Sequence, residues 1–237
     1  CEGEKMAVLE LVRKRRDLVK LTEEYYNALS TNVQLSGANI KVVEVTSVMP
    51  NEGKSTTSTN LAIAFARSGY KTLLIDSDIR NSVMSGVFKS HGKVLGLTDF
   101  LSGQSDVKAI LNTTDIANLH IILAGQPSPN PTGLLQSKNF EILLEALRTR
   151  YDYIIIDTSP IGLVIDAAII AQKCDASLLV TEAGAVKRKA VAKAKEQLAQ
   201  TGTPFLGVVL NKFNVQLERY GSYGSYGGYG DYGNYGK

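Results

Sequence analysis

The chain has 237 residues, 44% of them hydrophobic and 21% charged, the make-up of a soluble globular chain with room for one α/β domain of about 200 residues plus tails. Its net charge of +3, from 26 basic and 23 acidic residues, is too small to argue for a nucleic-acid partner. No apolar run reaches the roughly 18–20 residues that span a bilayer, because the longest, residues 161–171, is interrupted by Asp166, and the charged amino end carries no secretory signal.

Cys1 and Cys174 stand far apart in no metal or redox spacing, so a reducing cytoplasm is expected, with Cys174 a packing residue. Residues 1–5 precede Met6, one candidate for the native start, in which case those five residues are a fusion segment. From there to residue 35, apolar residues recur at three- and four-residue spacing, which predicts an N-terminal helical segment over 1–35. Within it Arg13, Lys14, Arg15 and Arg16 form a short basic cluster. It is read as a solvated helix face, with contact to an acidic surface or partner as the alternative.

The β-prone run from Val42 to Ser47 passes through Val48-Met49-Pro50-Asn51-Glu52 into Gly53-Lys54-Ser55-Thr56 and then into a helical pattern over 55–68. That is the layout of a phosphate-binding loop, with main-chain amides and the helix dipole directed at an anion. Gly53 lets the backbone approach phosphates, Lys54 reaches the β- and γ-phosphates, Ser55 ligates Mg²⁺ and Thr56 bonds the α-phosphate. The usual first glycine of G-x-x-x-x-G-K-[ST] is Val48 here.

Further strands are expected at 71–76, 118–123, 153–157, 177–181 and 205–210, with helices at 140–150, 166–172 and 186–200. This alternation predicts a doubly wound, mostly parallel sheet flanked by helices, with right-handed crossovers and ligands at the carboxyl ends of the strands. It fills a domain over 36–217. Residues 126–131 are read as a rigid loop that either shapes a rim of the site or starts a helix. From Tyr220 a tyrosine recurs at every third position, Tyr220, Tyr223, Tyr226, Tyr229, Tyr232 and Tyr235, among glycines and without aliphatic residues. A stretch of that composition, 218–237, is expected to be a disordered tail whose hydroxyls any enzyme can reach.

Three carboxylates fall at strand ends: Asp76 and Asp78 after Leu73-Leu74-Ile75, and Asp157 after Ile154-Ile155-Ile156. Any one of them reads equally well as a helix cap or turn residue. Downstream of a phosphate loop, all three together read as a magnesium site for phosphoryl transfer, which needs positioning and charge neutralisation more than covalent chemistry. One of Asp76 and Asp78 would then orient the metal shell and the other accept the proton of an attacking hydroxyl.

The combination of Pro50-x-Glu52-Gly53-Lys54-Ser55, Asp76-x-Asp78-x-Arg80, Ile154-Ile155-Ile156-Asp157-x-x-Pro160 and a terminal tyrosine cluster resembles the bacterial tyrosine kinases of capsule and exopolysaccharide assembly. The likeness is strongest to the cytoplasmic, separately encoded streptococcal kind, and runs over 22–237. It implies a Walker A motif at 48–55, an A′ motif at 73–80 that includes Arg80, and a Walker B motif at 154–157. It implies ATP and Mg²⁺ as cofactors, with Pro50, Asn51, Glu52, Gly53, Lys54, Ser55 and Thr56 around the nucleotide, Asn211 near the adenine, and Ser55, Asp76 and Asp157 at the metal. For Asn211 a strand-end turn explains the residue as well.

The resemblance further implies phosphorylation of the tail between subunits of a homo-oligomer. It implies a membrane polysaccharide co-polymerase whose cytoplasmic peptide completes the nucleotide site and recruits the kinase to the inner membrane face, and a cognate phosphotyrosine phosphatase. Two positions depart from the family. The ring-forming helix reads E-x-x-R-x-x-R there, whereas Glu24 is followed here by Asn27 and Ser30, so a closed ring is either missing or built from other contacts. Asn51 stands where the family commonly has glycine. The rival reading, a partition- or division-type switch ATPase of the same fold, usually carries an extra lysine early in the phosphate loop, and residues 47–52 contain none.

Overall fold

The computed structural model describes residues 7–90, 92 and 94–213. In chain order the elements are β1 (Val8–Leu11), α1 (Arg13–Leu21), α2 (Glu23–Leu35), β2 (Val42–Ser47), α3 (Lys54–Arg67) and β3 (Thr72–Asp76). A 3₁₀ turn (Met84–Gly86) leads to β4 (Phe88–Lys89), α4 (Leu97–Leu101), α5 (Val107–Ile110), β5 (Asn112–Thr114) and β6 (Leu119–Ile122). Then follow α6 (Pro131–Leu135), α7 (Lys138–Arg148), β7 (Tyr153–Asp157), α8 (Asp166–Ala171), β8 (Ala176–Glu182), α9 (Arg188–Ala199) and β9 (Phe205–Asn211).

The strands form one sheet in the order β4-β1-β5-β6-β3-β7-β2-β8-β9. From β6 to β9 every pairing is parallel. The two antiparallel pairs, β1 with β4 and β5 with β6, lie toward the far edge. Helices cover both faces, so the central strands have no solvent side and read as continuous apolar runs. Ile155 on β7 and Leu74 on β3 enter the cluster with Phe65 and Leu61 of α3, while Ile154, Ile156, Leu73 and Ile75 enter the opposite one with Phe140, Leu143 and Leu147 of α7. Phe65 stacks on Tyr153 with ring centroids 3.9 Å apart. Because α3 is sandwiched between the sheet and α2, nearly its whole length is buried, and its first turn cannot drift from the strand ends.

The amino-terminal segment differs from the single helical stretch its periodicity predicts. Val8–Leu11 is a strand with alternate residues buried, paired in parallel with β5, and the helical part is broken at Thr22 into α1 and α2. Four residues fit a period of 2 or of 3.6 equally, and the deciding partner, Thr113–Thr114, lies about a hundred positions away. Residues 126–131 prove to start a helix: the Asn130 side chain caps α6 by accepting from the Gly133 N–H, and Pro131 fills its first position. Cys174 packs against the α7–α8 cluster, as a structural cysteine does. Among the described residues no helix is long and apolar enough to cross a membrane.

Candidate active site

Parallel order puts the carboxyl ends of β2, β3 and β7 side by side, with Asp76 directly opposite Asp157 in the ladder. The loop after β2 then turns Lys54 toward both strand ends. Its Nζ lies 2.8 Å from Asp78 Oδ2, 3.4 Å from Asp157 Oδ2 and 3.2 Å from Ser55 Oγ. Ser58, one helical turn beyond Lys54, donates to Asp157 Oδ1 at 2.9 Å, and Ser159 donates to Asp78 Oδ1 at 2.7 Å. Asp76 accepts from the Asp78 N–H at 3.2 Å and from Ser82 Oγ. The sequence therefore places all three acids and the lysine in one cluster, and the structure adds the three serines that hold the acids in position.

Four charges this close perturb one another. Burial pushes Asp76 up, the Asp157 charge pushes it further, and its pKa reaches about 8. Burial likewise raises Asp157, moderated by Lys54, Ser55 and Ser58. Asp78 feels burial too, but the ammonium of Lys54 outweighs it and holds Asp78 below the usual carboxylate range. Lys54, in turn, keeps its charge despite burial, because Asp157 and Asp78 hold its pKa above the ordinary lysine value.

A stability consequence follows from Asp76. Its folded pKa of about 8 exceeds the ordinary 3.8, so between those values the folded chain retains a proton that the unfolded chain releases. Stability from this group is complete below about pH 4 and is lost as pH rises toward 8. Melting temperatures measured in EDTA without nucleotide should show Asp76→Asn gaining on the unchanged chain from pH 5 to pH 8, and parallel profiles would contradict the assignment.

The cluster forms the floor of a cleft of about 1060 Å³ lined by Pro50, Asn51, Gly53, Lys54, Ser55, Thr56, Asp78, Arg80 and Asn211 among others. Asp76 and Asp157 lie behind this lining, at 0% and 1% exposure. Gly53 has φ +94°, and a Cβ there would come within 1.9 Å of the Asn211 amide nitrogen, so the loop is pressed against the end of β9 and only glycine fits. Asn51 has φ +65°, the left-handed region in which Asn is the residue best tolerated after glycine, which accounts for its place in the loop. Val48, the unexpected residue at the loop's opening, is 3% exposed and packs with Ile161 and Ala167; its φ is not positive, so no glycine is required.

Two predicted nucleotide residues brace the loop. The Glu52 carboxylate turns to the Met49 N–H, Thr181 Oγ1 and the Glu182 N–H, so its side chain fixes loop shape rather than reaching for phosphate. Asn211 donates from Nδ2 to Glu52 O at 2.9 Å, which spends half of its amide on the loop while its position still lines the cleft. Arg80, the last residue of the A′ motif and by the family resemblance one of its catalytic residues, forms a two-pronged pair with Asp166 at 2.5 and 3.2 Å and also donates to Thr132. That partner stands 86 residues away, and no local signal marked it.

The residues fit MgATP. A glycine that cannot carry a side chain, an N-terminal helix turn and a buried lysine suit a polyphosphate. Among the described residues no group of three or more His, Cys, Asp or Glu converges closely enough to hold a metal. Mg²⁺ takes one or two protein ligands plus phosphate and water. Ser55 is the residue in the cleft wall that would ligate it, with Asp157 and Asp76 behind.

Residues 40–186 match the AAA domain family. Tyrosine-protein kinase CpsD of Streptococcus pneumoniae is 60% identical over 216 residues, which is 91% of this chain and 95% of that protein. Among solved structures, the chimerical protein CapA2B2 has a TM-score of 0.78 at 28% identity, covering 88% of this chain and 93% of that one. The cell division ATPase MinD of Pyrococcus furiosus gives 0.60 at 25% identity, over 73% of each chain.

Proposed function

The chain belongs to the bacterial tyrosine-protein kinases of the CpsD kind, which makes it a nucleotide-using protein-tyrosine kinase, and from that premise we propose that it transfers the γ-phosphate of MgATP to the tail tyrosines of a neighbouring copy. The observation that carries the reading is the contact of Lys54 with Asp78 and Asp157 at the floor of the loop-lined cleft. When bound, MgATP supplies the transferable phosphoryl group and the divalent charge that offsets its oxygens. Lys54 holds the β- and γ-phosphates, and Thr56 and the main-chain amides of the loop hold the rest. Asp78 is the acid of the Asp76/Asp78 pair that lines the cleft, so it faces the incoming phenol and accepts its proton; Asp76, enclosed behind it, orients Asp78 through the Asp78 N–H.

Three further parts of the proposal follow. The six tail tyrosines, Tyr220 to Tyr235, are the acceptors; they lie outside the described residues. A cytoplasmic segment of a membrane polysaccharide co-polymerase docks at the cleft rim, where Leu163, Leu210 and Phe213 are 56%, 52% and 41% exposed, and brings the kinase to the inner membrane face. A phosphotyrosine phosphatase resets the tail, and the cycle of modification tunes capsule or exopolysaccharide synthesis.

The test is mass spectrometry of the tail after incubation with MgATP and the partner's cytoplasmic peptide. Phosphate on the tail tyrosines is the expected result. Label released only as free phosphate would favour the rival reading, a switch ATPase; the cell division ATPase MinD shares the fold.

A further inference from the structure

Among the described residues, four basic side chains line the cleft: Arg15, Lys54, Arg80 and Lys212. Three are already matched to acids. Lys54 faces Asp78 and Asp157, Arg80 pairs with Asp166, and Lys212 sits 2.7 Å from Glu182. Arg15 is different. Among the described residues it has no ion pair; its Nη1 donates to a neutral partner, Thr56 Oγ1, at 3.0 Å. An uncompensated guanidinium at the first turn of α3 is an anion site in waiting, since the other positive charges of the cleft are offset by protein carboxylates.

The chain holds Arg15 there by design of the fold rather than by the side chain's own reach. β1 is stitched into the sheet between β4 and β5, and the Val12 N–H donates to Val87 O at 3.0 Å just before α1 begins. Arg16 then locks the first turn. It pairs with Asp115 and donates from Nε to Leu11 O at 3.1 Å, while Asp115 also accepts the Leu11 N–H at 3.1 Å. Further along α1, Val19 is buried in the cluster that contains Leu61 and Phe65 of α3. Neighbouring arginines thus have separate duties, with Arg16 fixing the helix and Arg15 projecting into the cleft.

We infer that Arg15 is a nucleotide-binding residue acting within its own chain, its guanidinium taking an oxygen of the phosphate that lies against Thr56, the one nearest the ribose. By accepting from Arg15, the Thr56 hydroxyl keeps its own proton for the same phosphate. Two donors then converge on one phosphate common to ATP and ADP. The inference rests on the nucleotide site proposed above.

Calorimetric titration of the full chain with ATP and with ADP, both in Mg²⁺, tests it in Arg15→Ala, Arg15→Lys and Arg16→Ala. Losing a charge-assisted contact should weaken both nucleotides by the same factor, about tenfold, in Arg15→Ala. Arg15→Lys, which keeps the charge without the fork, should recover part of that loss. Arg16→Ala should lower the melting temperature and weaken both nucleotides by clearly less than Arg15→Ala does, because the guanidinium of Arg15 is still present. Undiminished ADP binding by Arg15→Ala would overturn the inference, as would a loss confined to ATP, which would put the contact on the terminal phosphate. So would a loss accompanied by the same fall in melting temperature and affinity in Arg16→Ala. If the unsubstituted chain bound no nucleotide, the functional reading beneath it would fail instead.

Discussion

Replacing Lys54 with Met is expected to erase the anti-phosphotyrosine signal. Lys54 is the cation that meets Asp78 and Asp157 in the cleft floor, and Met keeps the length of the side chain without a charge or a donor. Removing a preorganised charge aimed at a developing anion costs on the order of 10²–10³ in rate, and here the lost group also positions the phosphates, so the immunoblot should fall to background. Stability pulls the same way, since unpairing buried charges costs about 3–5 kcal/mol when nothing relaxes. Relaxation is available here: without the ammonium, Asp78 and Asp157 rise in pKa and take up protons, which softens the loss. The melting temperature should therefore drop while the far-ultraviolet circular dichroism stays that of an α/β fold. A phosphotyrosine signal near that of the unchanged chain would remove Lys54 from the chemistry.

Changing Tyr220, Tyr223, Tyr226, Tyr229, Tyr232 and Tyr235 together to Phe should remove nearly all incorporated phosphate without altering ATP affinity. Each substitution deletes one hydroxyl while keeping the ring, and every residue assigned to the nucleotide, from Pro50 to Thr56 and Asn211, is retained. Mixing this variant with Lys54→Met separates the two directions of transfer. The first has an intact site and no acceptors; the second has acceptors and no working lysine. Label should appear on the tail of Lys54→Met at a rate that rises with the concentration of the other chain. Label retained on the six-Phe variant by itself would move the acceptors elsewhere, and a mixture without label would make the transfer intramolecular.

Tyr153–Asp157 is a strand over the span its residues predict, and β2, β3, β8 and β9 fall within a residue or so of their expected limits. Of these, β2, β3, β7 and β8 are covered on both faces, so burial writes itself into the chain as nearly unbroken apolar runs, whereas β9 lies at the sheet edge, half exposed, and is legible from its Leu-Gly-Val-Val-Leu run alone. β1, β4 and β5 went unread because each has two to four residues, too few to show a period; β1 and β4 moreover pair with strands far away in the chain. Glu52 and Arg80 show the same division at the site. Their place in the motifs is local, but what their charged ends touch, Thr181 and Asp166, is 129 and 86 residues away.

By itself, then, the order of residues determined the kind of fold, the phosphate-binding loop, the three strand-end carboxylates and the kinship with tyrosine kinases. Each of these is carried by a short run whose periodicity or backbone needs are local. Only the tertiary structure decided how the charges are shared: Lys54 between Asp78 and Asp157, Arg80 committed to Asp166, Asp76 raised by burial and by its neighbour across the ladder, and Arg15 brought over Thr56 with no acid to meet it among the described residues. Coulombic partnership and desolvation depend on distance in space, and the sheet brings together groups that the chain keeps tens of residues apart.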